Sequence, residues 1–133
     1  MTDPAAALRL TLDAPRAARV GDRVRMTLVV HNAGADPLTL YLRGRPVAVD
    51  LSVRRADGAP VWHRLEHAII PAIVQLRELR PGERLAFGVT WDQMTGVGQS
   101  AGAGEFMLEA SLLTDGPEPL RAPPVSLRIV GTT

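Results

Sequence analysis

Apolar and polar residues alternate with a period of two along most of this chain, and no other feature restricts its fold so strongly. Leu8, Leu10 and Leu12 alternate with Arg9, Thr11 and Asp13. After AARVGD, the residues Val24, Met26, Leu28 and Val30 alternate with Arg25, Thr27, Val29 and His31. Leu38, Leu40 and Leu42 stand against Thr39, Tyr41 and Arg43; Val47, Val49, Leu51 and Val53 stand against Asp50, Ser52 and Arg54. Further on come Leu85, Phe87, Val89 and Trp91, then Phe106, Leu108, Ala110 and Leu112, then Val125, Leu127 and Ile129. Successive side chains of a strand point to opposite faces, so each run reads as a strand with one buried face. NAGADP, ADGAP, RPGER, DGPEP and APP punctuate the runs with turn residues, and VWHRL adds a short strand. The pattern predicts an all-β chain of seven to eight short strands packed as an antiparallel β-sandwich. The eleven prolines sit at or near the proposed turns and strand ends, where a missing N–H costs least.

Two stretches need separate treatment. PAIVQLRELR (71–80) has apolar residues at 73, 74, 76 and 79, which suits a connection with some helical character. The run Gly21-Asp22-Arg23-Val24-x-Met26-x-Leu28-x-Val30 is echoed by Gly82-Glu83-Arg84-Leu85-x-Phe87-x-Val89-x-Trp91. The echo is expected to mark central strands of two facing sheets that need the same chemistry. Trp62 and Trp91 are both expected in the core.

At 133 residues the chain is long enough for a single domain with one core, over about residues 8–130. A net charge of +1 gives no electrostatic reason to expect nucleic acid or an acidic membrane surface. Every basic residue is Arg, but the arginines are dispersed rather than gathered into an anion site. Without Cys there is neither a disulfide framework nor a thiolate metal site. MTDPAAALRL lacks the basic and apolar regions of a secretory signal, and no stretch reaches the roughly 18–20 apolar residues of a membrane helix. A cytoplasmic location is expected.

Two strings invite an enzymatic reading. GQSAG (98–102) matches the G-x-S-x-G turn that presents a nucleophilic serine between a strand and a helix. The downstream residues AGEFMLEASLL alternate as a strand, and all three histidines lie upstream at 31, 63 and 67. Ser100 is therefore expected on an exposed, mobile, glycine-rich loop over residues 95–104, open to proteolytic nicking and with no base beside it. HRLEH (63–67) matches H-x-x-E-H, whose His63, Glu66 and His67 would share a face only on a helix. On a strand the two histidines lie ~13 Å apart, too far to share an ion. Asp92 and Glu105 flank the glycine-rich loop and are expected to cap strand ends rather than act as an acid/base pair. No catalytic residue, metal site or cofactor is expected, and the function predicted is binding.

An ordered set of short motifs adds to this reading. They are Val20-Gly21-Asp22-x-Val24 leading to His31-Asn32-Ala33-Gly34; Asp50-Leu51-x-Val53; Asp57-Gly58-x-x-Val61-Trp62; Leu79-x-Pro81-Gly82-Glu83; and Trp91-Asp92 followed by Gly104-Glu105-Phe106. The set resembles the BsuPI-type intracellular proteinase inhibitor family over about residues 8–129. It departs from the family pattern at Val49, where an aromatic is expected, and at Ala103-Gly104, where proline before glycine is expected. The resemblance implies an immunoglobulin-like β-sandwich and inhibition of an intracellular serine proteinase. The partner expected is a protein, with Val97, Gln99 and Ser100 as candidate contacts, and the chain itself a monomer or weak dimer. The alternative is a non-inhibitory interaction or scaffolding domain that uses a sheet edge or face.

Overall fold

The structure, a computed structural model, describes residues 7–66, 68–116 and 118–131. Its strands are β1 (Leu8–Asp13), β2 (Ala17–Arg19), β3 (Val24–Asn32), β4 (Leu38–Arg43), β5 (Val49–Arg55), β6 (Pro60–His63), β7 (Val74–Leu79), β8 (Arg84–Trp91), β9 (Gly104–Leu112), β10 (Leu120–Arg121) and β11 (Val125–Val130). There is no α-helix among the described residues. The strands form a three-stranded sheet β1-β3-β8, a six-stranded sheet β2-β11-β9-β5-β6 with β10 on β9, and a separate ribbon of β4 and β7. All these pairs are antiparallel except β2 with β11.

The alternation read from sequence is the alternation of burial. Val24, Met26, Leu28 and Val30 of β3 are buried, as are Leu51 and Val53 of β5 and Phe106, Leu108, Ala110 and Leu112 of β9. The two larger sheets meet across this core, where Trp91 of β8 packs edge-on against Phe106 of β9 with ring centroids 5.5 Å apart. The guanidinium of Arg55 also covers the Phe106 ring, at 5.4 Å from its centroid.

Several expectations change. Among the described residues the strand count rises to eleven. Strands β2 and β10, of three and two residues, are too short to show alternation, and 71–80 contains β7 rather than a helical turn. The echoed segments are not on facing sheets. β3 and β8 are hydrogen-bonded neighbours in one sheet, with Val24 opposite Trp91 and Val30 opposite Leu85. Antiparallel neighbours share an inner face, so they need the same apolar register. Each is launched by a four-residue turn closed by a backbone bond, from Asp22 N–H to the Arg19 carbonyl and from Glu83 N–H to the Arg80 carbonyl. The third residue of each turn, Gly21 or Gly82, has a positive φ of the kind a type II turn requires. Trp91 is wholly buried as expected, whereas Trp62 on the outer strand β6 is only half-buried against the core.

The ribbon is fastened to both sheets. Arg43 N–H donates to the Leu113 carbonyl and Asp115 N–H to the Tyr41 carbonyl, beyond the end of β9. On the other side Asn32, fully buried at the end of β3, donates from Nδ2 to the carbonyls of Leu79 (2.9 Å) and Asp36 (2.8 Å). Its Oδ1 accepts the N–H of Gly34 at 3.0 Å.

Candidate protein-binding surface

The segment that carries Ser100 is a turn that hydrogen-bonds to itself. Trp91 Nε1 donates to the Met94 carbonyl at 3.0 Å, and Ala101 N–H donates to the Gln93 carbonyl at 2.8 Å. Between them Thr95 N–H bonds to the Gln99 carbonyl at 2.7 Å and Gly98 N–H to the Thr95 carbonyl at 3.0 Å. Ala101 is buried, while Val97 at the tip is 82% exposed. The exposure expected of this loop holds from Gly96 to Ser100, and Gly98 and Gly102, both at positive φ, let the chain double back tightly enough to bond to itself. Ser100 Oγ accepts the Gly102 N–H at 3.3 Å and touches no histidine among the described residues. It leads into β9 and not into a helix, so the helix N-terminus that an acyl-transfer site aims at its oxyanion is missing.

Gln93 is the residue that sequence reasoning missed in this region. It is buried, its φ is +65°, and its side chain spans to the turn before β3. Nε2 donates to the carbonyls of Arg19 (2.7 Å) and Asp22 (2.8 Å), and Oε1 accepts the Gly21 N–H at 3.3 Å. Asp92 and Glu105 are engaged separately, Asp92 with the Met94 N–H and Glu105 with Arg128, so they form no acid/base pair.

His63 sits on β6 and its Nε2 lies 2.5 Å from Asp50 Oδ2. The other Asp50 oxygen accepts the N–H groups of Leu51 (2.9 Å) and Leu65 (3.1 Å), so the pair anchors the chain leaving β6. Ser52 lies opposite His63 in the sheet, which gathers Ser, His and Asp on one face. No Ser52–His63 hydrogen bond forms among the described residues, and β5 is flanked by both β6 and β9, which engage its backbone donors. His67 lies outside the described residues. Among the described residues no three His, Asp or Glu side chains converge on a site for a metal ion.

The outward face of the ribbon lies away from the core. In β7 the residues turned toward the sandwich are Gln75, Arg77 and Leu79, and only Leu79 is buried. The residues turned outward are Val74, Leu76 and Glu78, with Leu76 68% exposed and directly opposite the exposed Tyr41 of β4. The usual polarity of an edge strand is inverted. Ile73 and Ile69 in the preceding segment are also exposed. Of the eight exposed large apolar side chains among the described residues, five thus lie on this ribbon and its leading segment. Exposed apolar side chains gathered in one strip make it the candidate interaction surface of the sandwich. Sequence reasoning missed it, although the apolar residues at 73, 74 and 76 were the signal.

Comparison with known proteins agrees with this architecture. The crystal structure of a CARDB domain from Pyrococcus furiosus, solved in complex with di-metal ions, aligns over 94% of this chain and 94% of its own, with 12% identity and a TM-score of 0.53. Spo0M, a sporulation control protein from Bacillus subtilis, aligns over 92% of this chain and 49% of its own, with 16% identity and a TM-score of 0.51. At such identities the likeness is one of fold, an immunoglobulin-like β-sandwich. No curated protein sequence matches the chain. The sequence profile of the family described as BsuPI, intracellular proteinase inhibitor, matches residues 11–116. That match runs from within β1 to beyond the end of β9, well over half of the chain, and the chain belongs to the BsuPI intracellular proteinase inhibitor family.

Proposed function

We propose that this protein inhibits an intracellular serine proteinase by binding it through the apolar strip on the β4–β7 ribbon and the segment leading into it. The observation that carries the reading is the inverted polarity of β7, in a chain whose family is described by proteinase inhibition. Exposed Val74 and Leu76 face away from the core, and burying apolar area against a partner yields about 25 cal/mol per Å² before the costs of association. Rigid β-architecture suits an inhibitor, since protease–inhibitor interfaces form with little backbone movement. Among the described residues β7 pairs with β4 alone, and its other edge offers the partner backbone hydrogen bonds as well.

Titration of the chain against a panel of serine proteinases tests this, with mass spectrometry to follow whether the chain stays intact. Stoichiometric loss of proteinase activity with an intact chain is expected, and Leu76→Asp should weaken it. No effect on any proteinase would leave the non-inhibitory interaction module as the better description.

A further inference from the structure

We propose that the segment 68–73 enters the active-site cleft of the target, with Ile69 filling the primary specificity pocket. This rests on the inhibitor reading above and names the contact that reading leaves open. A proteinase binds its substrate as an extended strand and reads one side chain in a pocket. A segment that imitates substrate must therefore be extended, exposed and free of its own backbone pairing, yet held at both ends.

Residues 68–73 carry no regular secondary structure and bend at Ala72, and they meet the conditions of exposure, unpaired backbone and fixed ends. Among the described residues no backbone–backbone hydrogen bond involves Ile69, Ile70, Pro71 or Ala72. Ile69 is 96% exposed, more than any other large apolar residue described, while the neighbouring Ile70 is half-buried. Pro71 fixes its own φ and biases Ile70 toward extended conformations, so less freedom is lost on binding. At the leading end, Leu65 N–H is held by Asp50 at 3.1 Å and Ala68 N–H by the Leu65 carbonyl at 3.2 Å. At the trailing end the Ile73 carbonyl accepts the Gly44 N–H at 2.8 Å, and β7 follows at once. The Asp50–His63 contact thereby acquires a purpose, because it fixes the support on which the segment stands.

The glycine-rich turn fits a cleft less well. Its backbone donors and acceptors are spent on one another, and Gly98 holds a φ of +81° that an extended strand cannot adopt. The chemistry of 68–76, AIIPAIVQL, also specifies the target. The stretch is uncharged, so it suits an apolar specificity pocket rather than one with a carboxylate at its base.

The test uses the full chain against subtilisin, pancreatic elastase and trypsin. The wild type is expected to inhibit one or both of the first two and not trypsin. Ile69→Arg should weaken that inhibition by ~30-fold or more and confer inhibition of trypsin, with an unchanged melting temperature because the side chain lies in solvent. Inhibition by the wild type that Ile69→Arg leaves intact overturns the assignment while sparing the inhibitor reading. Loss of inhibition in Val97→Arg with Ile69→Arg unaffected overturns it in favour of the glycine-rich turn. Inhibition confined to other members of the serine proteinase panel, and undiminished by Ile69→Arg, overturns the assignment alone, whereas no inhibition of any member overturns the inhibitor reading itself.

Discussion

Gln93 and Asn32 are the only buried polar side chains among the described residues, and each spends its hydrogen bonds on the backbone, Gln93 on the distant turn before β3 and Asn32 on Leu79 together with its own following turn. Stranding a buried partner costs about 1–3 kcal/mol, and of the three Asn32 bonds only the one to the Leu79 carbonyl is fully buried, so Asn32→Ala should lower stability by about 2–3 kcal/mol. Urea unfolding would show this as a lower midpoint at constant slope. Gln93 allows a sharper comparison, because its φ of +65° strains every residue except glycine. Both Gln93→Ala and Gln93→Gly lose the hydrogen bonds, but only the second relaxes the backbone. The glycine variant should be the more stable by about 1 kcal/mol, and equal stability would mean that the strain is negligible. The two tryptophans separate in the same way. Trp91→Ala should cost ~3–5 kcal/mol, Trp62→Ala clearly less, and acrylamide should quench Trp62 while leaving Trp91 emission largely untouched.

Among the elements, β7 is the one whose sequence and structure part company, and the reason is physical. Strands β3, β5 and β9 were legible because each has partners on both sides and one face on the core, so alternation of residue type and of burial coincide. In β7 the outward positions carry Val74 and Leu76 while the inward ones carry Gln75 and Arg77, so no alternation rule that assumes a buried apolar face can find it. The Asp50–His63 contact was hidden for a different reason. Counting back from the Asp57-Gly58 turn should align β5 with β6, but a shift between Val53 and Arg54 moves the register by one residue. The motif residues themselves were visible, yet their roles were not: Asn32 and Gly21 act through partners more than forty positions away. The polarity of β7 gives a direct expectation. Leu79→Ala should cost ~2–5 kcal/mol, since that side chain is fully buried. Leu76→Thr, on the solvent face and equally compatible with a strand, should change stability by no more than about 0.5 kcal/mol. A large loss from Leu76→Thr would mean that the outward strip is part of the fold and not a surface held for a partner.

At the scale of the whole molecule the ribbon differs from the sheets it spans. The three- and six-stranded sheets share one core, sealed by Trp91 against Phe106, and must open together. The ribbon contributes Leu40, Leu42 and Leu79 to that core, but among the described residues β7 has a strand partner on one side only and most of its side chains in solvent. Its attachment depends on a few bonds: Asn32 to the Leu79 carbonyl at one end, Arg43 to Leu113 and Asp115 to Tyr41 at the other. Local opening is governed by how much apolar contact and pairing an element must give up, so β7 should open without unfolding the sandwich. Native-state hydrogen exchange makes this measurable. Amides paired between β4 and β7 should exchange roughly tenfold or more faster than those paired between β3 and β8. Asn32→Ala should widen the gap, because it releases the ribbon at Leu79 while leaving the Trp91–Phe106 contact in place. A bound proteinase covering β7 should close the gap by slowing the ribbon amides selectively. Protection that rises evenly over all the sheets on binding would instead point to a contact elsewhere on the sandwich.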